Sequence, residues 1–442
     1  MPSLEPIPAR NPNLPDGGSD DEADPELVEL LRQHLGLGGK QQNDLPPETR
    51  VLEGAQYIFD NAIDVALSPA QTKEAAETIW RMMQKKAYST KTWSEHELHP
   101  QTKDESTVDF IFTMDLLNFS FWSEEKDEAK RFCIEYRGKR WTGYWSLVAA
   151  LQRALEEKIP ITTPDFWIDE EQCTDELLRH VFRSATDEEI PLFQERVQCL
   201  REAGEVLCNV SYMTHPDLSY SGTNGIIVQE FGGSFVNCID DANFSAAGLV
   251  NLLTENFACF RDETRFNGKR VRLYKRAQIL VADLWACFDG EDFGEFNDID
   301  KITMFADYRI PQMLHQFGCL RLSPPLENHI RDGKLIPAGS NWEIELRGTS
   351  IWCVELIKRE IEKRHPEVKN AGHKGIFTPS EENTPQDSEA EAEAEKTKAE
   401  KPPKTYGINA ILIDFFLYDT MKNLEEEHNE SIPHHRTRSI WY

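Results

Sequence analysis

A chain of 442 residues with 39% hydrophobic content and ten tryptophans can bury a large core. Its formal charge of −29 argues against a protein that tracks a nucleic-acid backbone, because such proteins neutralise phosphates with Lys and Arg; a single nucleotide in a local basic pocket stays open. Nine cysteines stand singly with no Cys-x-x-Cys pair, which speaks against a zinc ribbon or a disulfide scaffold and suits a reducing compartment.

In chain order, residues 1–45 are rich in Pro, Gly, Asp and Gln and read as a disordered acidic tail with one short helical stretch, Pro25 to Leu35. The tail is not a signal peptide, and no apolar run reaches membrane-spanning length. The expectation is a soluble intracellular protein in the cytoplasm, with the nucleus also open to it. Residues 46–442 read as one mainly helical domain. Ser68-Pro69-Ala70-Gln71 predicts a helix start with a capping-box glutamine, followed by Ala75, Ala76, Ile79, Trp80 and Met83 at helical spacing. Phe132 to Tyr144 reads as a β-hairpin turning at Arg-Gly-Lys. Leu147, Val148, Leu151, Ala154 and Leu155 form a second apolar helix face, and Phe193, Val197, Leu200, Gly204 and Leu207 a third. Ser323-Pro324, with Gly333 beyond, brackets a further helix. A low-complexity insertion runs from about 378 to 404, and the apolar segment Ile408 to Tyr418 resumes the core after it. There is no internal repeat and no regular strand–helix alternation. The fold class is therefore mainly α, a single compact domain with a small β-hairpin.

Three apolar runs contain carboxylates. Asp307 lies in Ile302 to Leu314 among Met304, Phe305, Ala306, Tyr308 and Ile310. A charge in such surroundings is paired, protonated or used. It either pairs with Arg309 or Arg276 to fix helix geometry, or it is aimed at developing positive charge, as the oxocarbenium-like transition state of N-glycosidic cleavage requires. Asp414 and Asp419 lie in a segment apolar nearly all round, which predicts a buried helix. Five residues apart, they point roughly 140° from each other and need not share a face. Asp283, close to Lys275 and Arg276, reads as structural. His96 is a surface or satisfied core residue, or part of a pocket. The aromatic clusters Asn118 to Trp122 and Gly143 to Trp145 are core by default and a stacking wall for a planar base in the sharper reading. Pro433 to Arg438 is a compact basic patch, either a solvated end or a phosphate clamp. No P-loop, dinucleotide fingerprint, His-Glu-x-x-His or Gly-x-Ser-x-Gly motif is present.

Several longer segments fit one family. Asp115 to Trp122, Tyr136-Arg-Gly-Lys139, Gly143 to Leu147, Ile159-Pro-Ile-Thr162, Tyr274 to Asp283, Ile302 to Arg309 and Trp352 to Leu356, in that order, resemble the queuosine salvage protein family. The resemblance implies a fold similar to helix-hairpin-helix DNA glycosylases. It implies hydrolysis of queuosine 5′-monophosphate to queuine and ribose 5-phosphate, with no metal or cofactor. It puts the catalytic aspartate on Asp307 and base-pocket residues on His96, Phe305, Asp414, Phe415 and Asp419. His96 lies in His-Glu-Leu-His-Pro where the family has a His-Glu-Leu-Asn-Pro-like motif, and Phe415 stands where it often has Tyr, so a phenolic hydrogen bond is lost there. For the 5′-phosphate the candidates are Lys275, Arg276, Arg436 and Arg438. The expected partner is a small-molecule nucleotide, with neither nucleic acid nor membrane, and the expected state is a monomer. Two other readings stay open: a non-catalytic queuine- or nucleotide-binding protein, and a nucleoside or DNA glycosylase of other specificity. Arg309 is ambiguous, since pairing with Asp307 would partly cancel the carboxylate's field.

Overall fold

The computed structural model describes residues 46–208, 210–213, 226–229, 231–366, 368, 407–427, 429 and 431–442. The N-terminal tail with its helical stretch and the insertion at about 378–404 lie outside the described residues. From Pro47 onward the described chain forms one unit. At its centre runs the longest helix, Asn341–Arg364, packed against the helices Val51–Asn61, Pro69–Lys86 and Ala410–Glu426. Gly348 sets one crossing, because a Cβ there would stand 2.5 Å from Ile58 Cδ1, so the two helices meet where only glycine fits.

The helix over Pro69–Lys86 buries Ala75, Ala76, Ile79, Trp80 and Met83, as its periodicity demands. Its start differs in detail from the capping-box expectation. The Ser68 hydroxyl makes no cap bond, and the Ser68 carbonyl accepts from the Thr72 N–H at 2.9 Å. Over Tyr144–Glu156 the buried face includes Leu147, Val148, Leu151 and Ala154, whereas Leu155 lies outside it at 37% exposure. Phe193–Cys208 buries all five residues of its expected face. Ser323 caps Pro324–Arg331 through the Leu326 N–H, and Gly333 stands beyond the end at φ 65°. No helix among the described residues is long and apolar enough to cross a membrane.

The hairpin pairs Ile134–Tyr136 with Lys139–Trp141, turning through Arg137 and Gly138, both at positive φ. It is not alone. Three more two-stranded antiparallel sheets occur: Val65–Leu67 with Leu320–Leu322, Val210–Met213 with Ile226–Gln229, and Glu263–Phe266 with Lys269–Arg272. The last carries a readable signal that the one-hairpin expectation passed over, an Asn267-Gly268 turn with φ 48° and 83°. The 65–67 strand is three residues long and pairs across more than half the chain, so it leaves no alternation to detect.

Two helices are buried nearly all round, Lys275–Cys287 and, as far as Met421, Ala410–Glu426. The first packs against Glu105–Leu116 and Ala246–Asn256, the second against Arg309–Gln316 and Asn341–Arg364. Between them passes the irregular segment 302–308, and a cavity opens there.

Candidate active site

Segment 302–308 has no regular secondary structure, and Ile302, Met304, Phe305 and Ala306 are buried. Buried backbone outside a helix or sheet must find partners elsewhere. Three side chains from three elements provide them. Gln278 Oε1 accepts from the Thr303 N–H at 3.0 Å, Asp414 Oδ2 accepts from the Phe305 N–H at 2.9 Å, and Arg347 Nε donates to the Ala306 carbonyl at 2.8 Å. This fixes the backbone immediately before Asp307.

Asp307 then ends the segment at the start of helix Arg309–Gln316. Its Oδ1 accepts the N–H groups of Arg309 at 2.7 Å and Ile310 at 3.0 Å. A carboxylate here satisfies two otherwise unpaired donors and meets the positive end of the helix. Its Oδ2 has no hydrogen-bond partner among the described residues. Both expected ion pairs are absent. The Arg309 guanidinium bonds Glu425 at 2.7 Å and Gln312 at 3.3 Å, and only its backbone N–H touches Asp307. Arg276 donates to the carbonyls of Leu116 and Cys259 and stacks over Phe119 and Phe260. Arg309 therefore forms no ion pair with Asp307, although its charge and that of Lys275 still act on the carboxylate.

The cavity in front of Asp307 holds about 410 Å³. One wall is helix Ala410–Glu426, which contributes Asp414, Phe415, Tyr418, Asp419 and Lys422. On an ideal helix these five fall within an arc of roughly 140°. Asp414 and Asp419 therefore stand at the two edges of one wide face and both line the cavity. A second wall is a single stripe of helix Lys275–Cys287, with Lys275, Ile279 and Asp283 four residues apart. Asp283, read as structural, faces the cavity as well. The third wall is aromatic. Trp145 stacks on His96 with ring centroids 3.3 Å apart, Trp93 stacks on His99 at 3.8 Å, and Tyr88 and Tyr144 line the space beside them. Phe305 and Phe415 rings lie 5.9 Å apart at the opposite side.

The histidines have assignable roles. His96 Nδ1 accepts from the Leu98 N–H, and burial lowers its pKa, so a neutral ring offers Nε2–H to the cavity. His99 Nδ1 donates to the Trp93 carbonyl, so its Nε2 accepts from the Tyr144 hydroxyl at 2.8 Å. Burial depresses this ring to about 3, and it stays neutral.

Buried carboxyls dominate the electrostatics. Burial raises Asp307, while nearby Lys275 and the two N–H bonds oppose the shift. Burial and the proximity of Asp307 hold Asp414 well above the usual range. Asp283 is likewise raised by burial and by Asp115, and Asp115 reaches about 7. Asp419 is raised by burial and accepts the Tyr88 hydroxyl at 2.6 Å. Amid them Lys275 is 5% exposed, and burial lowers its pKa against the pull of Asp307, Asp115 and Asp414. Asp414 and Asp283 are thus both held well above the usual carboxylate range, whereas the rise at Asp307 is opposed by a cation and two N–H bonds.

Seven expected site residues therefore meet at one cavity: His96, Lys275, Phe305, Asp307, Asp414, Phe415 and Asp419. Three expected cations do not line it. Besides Arg276, Arg436 reaches Gly333, and Arg438 lies on the Trp122 ring at 3.5 Å while bonding Ser120 and the Trp122 carbonyl. The basic C-terminal patch ties the chain end to the 120–122 segment. Tyr88, Tyr308, Tyr418, Arg309 and Lys422 line the cavity without having been singled out for it, and Tyr144 and Trp145 do so from the cluster read as core by default.

Comparison with known proteins places the chain among relatives of one name. The family model described as queuosine salvage protein matches residues 98–442. A protein of Nematostella vectensis named queuosine 5′-phosphate N-glycosylase/hydrolase is 39% identical over 393 residues, covering 88% of this chain and 97% of its own length. Proteins of the same name from Schizosaccharomyces pombe and the bacterium Sphaerobacter thermophilus are 38% and 33% identical, over 89% and 91% of this chain and 100% and 99% of theirs.

Proposed function

The chain belongs to the queuosine salvage protein family, and from that membership we propose that it is an N-glycosidase hydrolysing queuosine 5′-monophosphate to queuine and ribose 5-phosphate. The observation that carries this reading is Asp307, a carboxylate fixed through Oδ1 by two helix N–H groups while Oδ2 is left for the cavity.

Breaking the C1′–N9 bond sends its electron pair into the base and leaves positive charge on the ribosyl ring. A carboxylate fixed in a cavity walled by buried side chains stabilises that charge more than it stabilises the neutral ribose of the substrate, which is what lowers a barrier. Water then bonds to C1′ and gives up one proton, and the base nitrogen ends with one. Queuine is a 7-deazaguanine, so protonation at N7 is not available to help the base leave. Protonated Asp414 is well suited to donate to the base edge, while its other oxygen is held by the Phe305 N–H. Lys275 biases Asp307 toward its ionised form. The His96–Trp145 stack and the Phe305 and Phe415 rings form the walls for a planar base. The phenol that Phe415 lacks has a neighbour in Tyr418, three residues on and lining the same cavity. The substrate is a free nucleotide and not nucleic acid, which agrees with a net charge of −29.

The test is mass spectrometry of products after incubating the full chain with queuosine 5′-monophosphate. Release of queuine and ribose 5-phosphate is expected. An unchanged substrate, or binding without turnover, would refute the assignment.

A further inference from the structure

Removing Arg276, Arg436 and Arg438 from the cavity leaves the 5′-phosphate without the cations expected for it. Among the described residues, three Lys or Arg side chains line the cavity: Lys275, Arg309 and Lys422. Lys275 is 5% exposed and lies among Asp307, Asp115 and Asp414, which pull on its charge. Arg309 and Lys422 are different. Their side chains are 13% and 34% exposed, and one carboxylate that does not itself line the cavity, Glu425, bridges them. Glu425 Oε1 accepts from Arg309 Nη2 at 2.7 Å and Oε2 from Lys422 Nζ at 2.5 Å. Both cations pull the Glu425 pKa down to about 2, so the bridge keeps its charge at any ordinary pH. Gln312 fixes the other end of the guanidinium and is itself anchored on the Ile432 carbonyl at 2.8 Å.

We propose that Arg309 and Lys422, held in place by Glu425, form the subsite for the phosphate monoester of the substrate. Two cations against one carboxylate leave a net positive charge facing the cavity. Arg309 presents a planar fork and Lys422 a mobile point charge, a combination suited to a phosphate dianion. The placement fits a nucleotide lying along helix Ala410–Glu426. Asp414, offered to the base, and Lys422 are eight residues apart, about 12 Å along the axis, which matches the reach of a nucleoside monophosphate from base to phosphorus. Arg309 lies two residues beyond Asp307, so the ribose carrying both groups would lie between them. Asp419, its pKa raised by burial, is turned to the Tyr88 hydroxyl, whose hydrogen bond it accepts at 2.6 Å. Glu425 limits the rotamers of two long side chains before the ligand arrives, which reduces the entropy lost on binding.

The inference rests on the glycosidase reading for its ligand, and its test is separable from that reading. Ribose 5-phosphate is titrated calorimetrically into the wild-type full chain, Lys422→Met and, as a charge-matched surface control, Lys334→Met; Lys334 pairs with Asp332 and does not line the cavity. Loss of one charge-assisted contact should weaken binding about tenfold or more in Lys422→Met, with the control equal to wild type. Equal weakening in both variants, no weakening in Lys422→Met, or no detectable binding by the wild-type chain overturns the subsite. In turnover, the ratio of kcat/KM for the monophosphate to that for the free nucleoside should fall by a similar factor in Lys422→Met, and an unchanged ratio contradicts the proposal. Binding of ribose 5-phosphate that depends on Lys422 without any release of base would leave the subsite standing and refute the glycosidase. Release of base without Lys422 dependence would do the reverse.

Discussion

Two clusters of buried charge lie on either side of residues 306 and 307, and they are built on opposite plans. In the first, Arg347 is 1% exposed and fully engaged. It bonds both oxygens of Asp262 at 3.0 and 2.5 Å, Glu343 at 3.1 Å and the Ala306 carbonyl, and it stacks on Tyr442. In the second, Asp307, Asp414, Asp283 and Lys275 share a cavity and form no ion pair with one another within 4.0 Å among the described residues. The first cluster gives each charged group a hydrogen-bonded ion-pair partner and holds backbone in place. The second leaves oxygens and an ammonium without fixed partners where a ligand can reach them. Unpaired burial is costly, so a cavity that retains it has been shaped for something that arrives later.

The comparison can be broken at either cluster. The largest effect belongs to Asp307→Asn. The amide keeps Oδ1 for the two N–H groups but removes the charge, so base release should fall roughly 10⁴-fold, about 5 kcal/mol of barrier, while the melting temperature does not fall. Substantial turnover in a folded variant would remove Asp307 from catalysis. Next is Arg347→Met, which leaves Asp262 and Glu343 as buried carboxylates without their cation. It should cost about 4 kcal/mol of unfolding free energy in urea, and a loss within measurement error would show that the first cluster is not structural. The last is Asp115→Asn, whose effect is absent below about pH 4 and reaches at most about 4 kcal/mol near pH 7. Asp115 bonds Asn118 at 2.9 Å through Oδ1, and its buried Oδ2 has no partner. With a folded-state pKa of about 7, it holds a proton in the native chain that the unfolded chain releases above roughly pH 4. The wild-type chain therefore loses stability as pH rises from there to about 7, and the asparagine variant does not. The difference in melting temperature should grow across that window in favour of Asp115→Asn, and a constant difference would rule out titration of Asp115.

The same contrast explains what was legible in the amino-acid order. Asp307, Asp414 and Asp283 stood out because a carboxylate inside an apolar run is conspicuous whatever surrounds it in space. Helix Pro324–Arg331 was readable from Ser323, Pro324 and Gly333, and the 134–141 hairpin from its turn. The partners of the carboxylates were not readable. Whether Arg309 points at Asp307 or at Glu425 depends on how two helices pack. The Asp307 carboxyl serves a helix N-terminus, which could have been suspected from Pro311 in the first turn. Lys422 sits in a Lys-Asn-Leu-Glu stretch typical of any solvated helix end. Tyr88, Tyr144 and Trp145 looked like core because most of each ring is apolar, and only the assembled cavity shows which edge is left over.

The most direct test of a carboxylate that no cation pairs with, aimed at a ribosyl cation, uses a ligand that carries the charge permanently. A cationic pyrrolidine analogue of ribose 5-phosphate, titrated against ribose 5-phosphate itself, should bind the wild-type chain at least about 100-fold more tightly, and that advantage should collapse in Asp307→Asn. Equal affinity of the wild-type chain for the charged and neutral rings would contradict the account.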